Sequence, residues 1–374
     1  MKILNIIFSD AVGGESSIFQ EIAAHYNTTN LIIYNGDTNQ FTEKISYPIR
    51  LSLNILVRIN KEVGTFLSSI VSTFTLTKAY LKKFDLIILN SSSLAIPKVN
   101  NSIVIVYTPP RALTDRSEAV KRYLRATNRV GLTMFVIGSR ILNGLYKMSL
   151  QNSKELFCIS KNVKDRLLKY YRVEAKVRYL FIDASKFRFE SFGKYFLCVS
   201  RINEGKRQHL ALEAFKLFHQ KNKNFKLVIA GAIDGNDRSR RYYENLVKEA
   251  IGYPVDFVIS PMNEDIKNLY ANCYSVLFTA ENEDLGLVPL ESMASSKPVI
   301  AINEGGQKET IVNEVTGFLV GDVLEMVGKM IYLAENLERT QEMGTNGRKH
   351  VEREFSKTTF FENLDPIIRT HSKL

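Results

Sequence analysis

Two glutamates, Glu283 and Glu291, stand with seven residues between them in the segment EDLGLVPLE. Gly286 lies near the first, and the segment reads as a loop running into a helix. A loop that meets a helix N-terminus through glycine presents backbone N–H groups and the positive end of the helix dipole, which suits phosphate oxygens. Carboxylates would repel phosphate, but they accept hydrogen bonds from hydroxyls such as those of a sugar or a ribose. The segment therefore offers amides for a diphosphate at its centre and hydroxyl acceptors at both ends, the chemistry of a nucleotide-sugar site.

A departing diphosphate needs fixed positive charge. The sequence has no Asp-x-Asp pair and no clustered histidines to bring a metal. Arg201 ends the apolar stretch YFLCVSR, and Lys206 precedes the helical stretch QHLALEAFKLFHQK. A forked guanidinium and a point-charge ammonium are complementary phosphate binders. Taken alone they read as solvated loop cations; their place at a strand end, with the glutamates downstream, favours the phosphate role. Gly305-Gly306 follows the strand KPVIAIN and fits either close backbone approach to a ligand or a plain turn. Gly13-Gly14 holds the matching position after the first strand. Tyr107-Thr-Pro-Pro-Arg111 closes another strand, where Arg111 fits a phosphate, an acidic acceptor or open solvent. Arg116, Lys121, Arg122, Arg125 and Arg129 recur at near-helical spacing, either as a solvated face or as a seat for anionic lipid headgroups. None of the five histidines falls at an expected strand end, and there is no nucleophile elbow, Walker loop or Gly-x-Gly-x-x-Gly.

The elements that must carry these residues alternate. The first half reads as the strand MKILNIIFS, a helix opened by Gly13-Gly14, the strand NLIIYNG, a long amphipathic helical region over about 51–84, then DLIILNS, SIVIVYT and ELFCIS as strands before the helix KNVKDRLLKYY. The second half restarts with YFLCVSR and alternates five strands with helices as far as KPVIAIN. Short apolar runs separated by helical periodicity mark buried parallel sheets. Two sets imply an α/β protein with two doubly wound, Rossmann-like domains, a break near 183–194 where periodicity lapses, and ligand at the C-terminal strand ends, in a cleft between the domains.

The chain has 374 residues and a net charge of +11. Residues 1–190 carry 27 Lys and Arg against 14 Asp and Glu, whereas 191–374 carry 23 against 25. The excess sits in the first half, which suggests an anionic partner there: a membrane surface or nucleic acid. The glutamate pair would have no task in nucleic-acid binding, so no nucleic acid is expected. The apolar run Val130 to Tyr146 is interrupted by Arg140 and reads as a buried or interfacial helix rather than a membrane span. The N-terminal apolar run is too short for a signal sequence. Cys158, Cys198 and Cys273 are far apart and read as buried free thiols in a reducing cytosol.

Together the segments VRYLFID, SRINEGKRQHLALEAF, FKLVIAG, ENEDLGLVPLESMASSKPVIA and NEGGQKETIVNEVTGFLV resemble the retaining glycosyltransferases of family 4, over about 155–360 most clearly. The wording EDLGLVP and the YTPPR turn look most like its mannosyltransferases. The resemblance implies a GT-B fold: an acceptor-side domain over 1–185, a nucleotide-sugar domain over 186–355 and a C-terminal helix, about 356–374, crossing back onto the first. It implies a metal-independent transfer, with no cofactor, of mannose from GDP-mannose to a hydroxyl of a glycan or polyprenyl-linked acceptor at the cytoplasmic face of a membrane. A UDP-sugar-dependent transferase, a sugar-nucleotide epimerase and a silent nucleotide-sugar-binding subunit remain open alternatives. By the same resemblance Arg201 and Lys206 grip the donor diphosphate, Glu291 binds the ribose and Glu283 faces the donor sugar. The amides of Leu285, Gly286, Leu287 and Val288 lie near sugar and phosphates, Gly14 lets its loop approach the diphosphate, and Val258 to Ser260 flank the base. Arg111, Arg122 and Arg125 face the acceptor or membrane side. Family members place a histidine against the donor sugar where this chain has Tyr107, which can still donate a hydrogen bond but without the same reach or charge.

Overall fold

The computed structural model describes residues 1–9, 14–34, 81–91, 101–110 and 129–371. Gly13, Arg111, Arg116, Lys121, Arg122, Arg125 and nearly all of the helical region expected over 51–84 lie outside them. The chain divides into two compact units, Met1–Tyr179 with Asn363–Leu374, and Leu180–Glu362.

Unit 1 runs β1 (Ile3–Ser9), α1 (Gly14–Tyr26), β2 (Thr29–Tyr34), β3 (Leu86–Ser91), β4 (Ser102–Val106), α2 (Arg129–Gln151), β5 (Glu155–Cys158), α3 (Lys161–Tyr171) and β6 (Lys176–Val177). The strands pair in parallel in the order β2-β1-β3-β4-β5-β6. Every residue of β4 is buried, as expected of a strand covered on both faces. Ser160 caps α3 by accepting from the Val163 amide at 3.0 Å, which satisfies one orphan donor of the first turn.

A polar chain is sealed inside this sheet. The Tyr107 hydroxyl donates to Asn90 Oδ1 at 2.9 Å, Asn90 Nδ2 donates to Asn5 Oδ1 at 2.7 Å, and Asn5 Nδ2 donates to the Phe19 carbonyl of α1 at 3.2 Å. The three side chains are 2%, 1% and 0% exposed. Groups this deep persist only when paired, so the chain fixes the end of β4, β3, β1 and α1 to one another.

Unit 2 runs β7 (Tyr195–Val199), α4 (Gln208–Lys221), β8 (Lys226–Gly231), α5 (Asp237–Ala250), β9 (Val255–Ile259), α6 (Asn263–Asn272), β10 (Ser275–Phe278), α7 (Leu287–Ala294), β11 (Val299–Ile302), α8 (Gln307–Thr310), β12 (Gly317–Val320), α9 (Val323–Glu335) and α10 (Leu337–Glu354). Its parallel sheet reads β9-β8-β7-β10-β11-β12 from one edge, so strand order reverses between β7 and β10. One face carries an aromatic core in which the Phe196 ring lies 5.1 Å from Phe218 and 5.3 Å from Phe225.

The stretch 183–194, where apolar periodicity lapses, lies at the start of unit 2, which begins at Leu180. Its hold is unusual: the Lys297 ammonium, fully buried two residues before β11, donates to the Ser191 carbonyl and lies 4.2 and 4.4 Å from the ring centroids of Phe189 and Phe192. Cation–π contact offsets part of the desolvation cost, and burial still lowers the Lys297 pKa to about 8. The closing helix α11 (Lys357–His371) contributes to both units. Phe360 and Phe361 pack on Phe181 at 5.1 and 5.9 Å, while Asp365 accepts from the Tyr26 hydroxyl of α1 at 2.7 Å. The three cysteines are buried and form no disulfide with one another. Among the described residues no helix is long and apolar enough to cross a membrane.

Candidate functional site

In an open α/β sheet, ligands bind beyond the C-terminal strand ends where strand order reverses. In unit 2 that point lies between β7 and β10, and the loops leaving those two strands carry Arg201, Lys206 and Glu283. The structure joins two residues to which the sequence assigned separate tasks. Lys206 Nζ lies 2.5 Å from Glu283 Oε2, with the side chains 23% and 25% exposed. The pair crosses the reversal point and remains within reach of solvent. Arg201 is set apart, 66% exposed, with its guanidinium 3.4 Å from Asp234.

The loops are held by backbone more than by side-chain charge. Between β7 and α4 a single turn, Glu204–Lys206, is capped by Asn203, whose Oδ1 accepts from the Lys206 amide at 3.2 Å. Asn203 in turn donates to Asp234 at 2.8 Å. Thr279 at the end of β10 donates to the Lys206 carbonyl at 2.9 Å, Glu281 N–H to the Gly205 carbonyl at 2.9 Å, and Arg207 Nε to the Thr279 carbonyl at 2.8 Å. Arg207 also pairs with Glu304 of the loop after β11, and Glu304 accepts from the Asn282 amide at 3.1 Å. Gln208 and Gln307, both fully buried, donate to the carbonyls of Arg201 and Ile302 at 2.9 and 3.1 Å. Thus three consecutive strand-end loops are tied into one floor beneath Lys206 and Glu283.

Gly305-Gly306 closes that floor. A Cβ on Gly306 would stand 2.4 Å from the Asp284 carbonyl and 2.5 Å from Leu285 Cα, and Gly306 N–H donates to the Glu283 carbonyl at 2.7 Å. The close approach these glycines permit is to the backbone of 283–285. It sets the height of the glutamate loop.

That loop enters α7 through Gly286, at φ 93° and ψ 69°, a left-handed conformation that glycine adopts without strain. Gly286 has no side chain with which to cap the helix, and Pro289 in the first turn has no N–H. The first-turn amides facing outward from the helix end are therefore those of Leu287 and Val288. Leu285 is buried and anchors the loop, while Leu287 and Val288 stay half-exposed.

Glu291, one turn further on, accepts from the Tyr270 hydroxyl of α6 at 2.8 Å. As a residue it is half-buried, yet burial of the carboxyl pushes its pKa up to about 7, against which the Tyr270 hydrogen bond works. Burial, with the neighbouring Glu291, holds the Tyr270 hydroxyl well above its ordinary range. Val288 and Val258 pack on the same small cluster as Tyr270. Beyond Val258, Ser260 is exposed, in a left-handed conformation at φ 51°.

The sequence expectations in unit 1 land differently. Gly14 is the first residue of α1. Tyr107, expected to meet a donor sugar, is buried with its hydroxyl on Asn90. Arg111, Arg122 and Arg125 fall outside the described residues. The sequence reading missed Asn203, Arg207, Asp234, Thr279, Glu304 and Tyr270. The string EGKRQ between strand and helix was a usable signal for Arg207; the others are ordinary loop or helix residues whose partners are distant in sequence. Among the described residues, no group of three or more His, Cys, Asp or Glu could hold a metal ion.

Comparison with known proteins points the same way. Residues 182–350, nearly all of unit 2, match the model for glycosyl transferases group 1. Alpha-1,3/1,6-mannosyltransferase ALG2 of Dictyostelium discoideum is 29% identical over 77% of this chain and 76% of its own length. The human protein of that name is 36% identical over 46% of this chain and 44% of its own length. Among solved structures, a sucrose-phosphate synthase from Thermosynechococcus elongatus superposes with a TM-score of 0.76 at 17% identity, covering 99% of each chain. Anabaena Alr3699/HepE in complex with UDP-glucose gives 0.73 at 16% identity, covering 99% of this chain and 100% of that one. The chain is a glycosyltransferase of the GT-B fold, similar in sequence to the mannosyltransferases of family 4.

Proposed function

We propose that the chain transfers a hexose, mannose from GDP-mannose, to a hydroxyl of a glycan or lipid-linked acceptor, with retention of configuration and without a metal. The observation that carries this reading is the Lys206–Glu283 pair at 2.5 Å across the strand-order reversal of unit 2, beside the N-terminus of α7. An arriving diphosphate competes with Glu283 for Lys206. The ammonium then lies against leaving-group oxygens, with Arg201 on the more exposed side, and the carboxylate turns to sugar hydroxyls. As the sugar–phosphate bond breaks, the sugar takes on oxocarbenium character, as in glycoside hydrolysis. The acceptor hydroxyl attacks the same face, and the departing phosphate oxygen takes its proton. The protein orients the partners and stabilises the leaving charge. Glu291 receives the ribose hydroxyls, and Val258 to Ser260 flank the base. Mannose as the transferred sugar is supported by the similarity to mannosyltransferases, and a membrane-borne acceptor at the cytoplasmic face by the basic first half.

Thermal shift with GDP, UDP, ADP and their sugar conjugates, with and without EDTA, tests the donor, because a ligand that binds only the native state raises its melting temperature. A GDP- and GDP-mannose-selective shift indifferent to EDTA is expected. A UDP-selective shift replaces the donor, loss of the shift in EDTA overturns metal independence, and no shift with any nucleotide indicates a site that is vacant of function or binds donor only with its acceptor, and removes the transferase reading before the fold.

A further inference from the structure

Helix α2 has two faces of opposite character. Ser139, Tyr146, Ser149 and Leu150 are buried and seat it on unit 1. On the other side Ile137, Ile141 and Met148 are 53%, 56% and 49% exposed. At about 100° per residue these three fall within about 40° of one another, along about 17 Å of the helix axis. Arg140 and Lys147 flank this stripe on one side. Charge excludes acidic neighbours along the chain: from 119 to 154 the sequence has seven Lys or Arg and no Asp or Glu.

An exposed apolar stripe edged by cations, on a helix that is not long and apolar enough to span a bilayer, matches a surface that offers hydrocarbon beneath negative charge. We propose that the outer face of α2 is a membrane seat. Ile137, Ile141 and Met148 enter the acyl boundary of an anionic leaflet, while Arg140 and Lys147 reach its phosphates. The inference deepens the membrane-borne acceptor of the proposed function, but it uses no residue of the unit 2 site, so vesicle binding and nucleotide binding can fail separately. A second copy of this chain is disfavoured as the occupant, because two such faces would bring like charges together.

The test is flotation of the full chain with phosphatidylcholine vesicles, with and without phosphatidylglycerol, at low and high salt. Binding is expected only with the anionic lipid and is weakened by salt. R140Q/K147Q should lose about fivefold in partitioning per cation removed. I137Q/I141Q/M148Q should lose binding at both salt concentrations. Retention of the nucleotide thermal shift in each variant shows that the fold is intact. Equal binding to neutral vesicles, binding that survives both sets of substitutions, or a wild-type dimer that the apolar substitutions dissociate would each overturn the proposal.

Discussion

In unit 2 the polar side chains beside the strand-order reversal are charged and partly exposed; in unit 1, among the described residues, those beside the reversal between β1 and β3 are neutral and sealed. Lys206 and Glu283 retain about a quarter of their exposure, whereas Asn5, Asn90 and Tyr107 retain almost none. The costs explain the division. A charge removed from water loses several kcal/mol unless its partner is ideal, so a pair that must also release to a ligand belongs at the surface of a strand end. Neutral amides and hydroxyls can be sealed at small cost once each is paired. Unit 2 therefore holds polar groups that can exchange partners, and unit 1 holds a polar chain that fixes three strands and a helix.

The first way to break this contrast is to remove the exchangeable charge. Lys206→Ala should lower kcat/KM by about tenfold to about 150-fold, the ~1.5–3 kcal/mol of a charge-assisted contact. Its melting temperature should hardly change, because the loop backbone is kept by Thr279 and Asn203 and a part-exposed ion pair contributes about 0–1 kcal/mol. Arg201→Ala should lose less, being further into solvent. Near-normal turnover in both would remove the leaving-group assignment.

Gly306→Ala comes next and acts on position instead of charge. The new methyl meets the backbone of 284–285 at sub-contact distance, and overpacking of this kind costs about 1–3 kcal/mol. Lifting the glutamate loop should lower both the melting temperature and nucleotide affinity in a titration. If affinity is unchanged at lower stability, the loop's height does not set the site.

In unit 1 the sign of the comparison reverses. Asn90→Ala removes the acceptor at Oδ1 for the Tyr107 hydroxyl and the donor to Asn5 Oδ1, two buried hydrogen bonds at about 0.5–1.5 kcal/mol each. Denaturant unfolding should show the loss while the nucleotide shift persists. Tyr107→Phe is gentler, about 1 kcal/mol, and it separates two roles. If Tyr107 only fixes β4 to β3, transfer survives within a few-fold; a large fall in kcat with unchanged stability would return Tyr107 to the donor sugar.

Unit 2 was legible in the sequence because its signals are local. Apolar runs such as VIAI and SVLF are buried throughout, and the glutamate segment carries its own glycine and helix start. What the sequence hid is contact between residues distant along the chain: Lys206 with Glu283, Arg207 with Glu304, and Gly306 against Asp284. Residue types alone suggested that carboxylates and cations would divide the ligand between them, and only the parallel crossing of β7 and β10 shows them meeting first. Tyr107 is ambiguous for a related reason. A tyrosine after an apolar strand has the same pattern whether its hydroxyl points to a ligand or, as here, back to an asparagine on the neighbouring strand. The strands β6 and β12 passed unnoticed because β6 is only the two residues KV and β12, GFLV, opens on a glycine that reads as a turn.

The smallest expected effect concerns the one carboxyl of the site that burial moves towards neutrality. Glu291 has its pKa raised to about 7 from 4.5, so its folded form holds the proton more tightly than the unfolded chain does. Its contribution to stability is therefore greatest below the unfolded value, declines as pH rises from 4.5 to about 7, and is flat above that. Ligand affinity should run the other way: ionised carboxylate only accepts, ribose hydroxyls only need an acceptor, and GDP affinity should rise with pH through about 7. Tyr270 donates to the ionised form and so favours it. Tyr270→Phe should move the midpoint upwards and weaken binding at neutral pH without abolishing it at alkaline pH. Glu291→Gln should flatten both the affinity and the stability profiles. Nucleotide titrations and thermal melts across this pH range measure both. A wild-type affinity that is already flat, beside a stability that still declines, would leave Glu291 as a buried acid of the fold and remove it from the nucleotide.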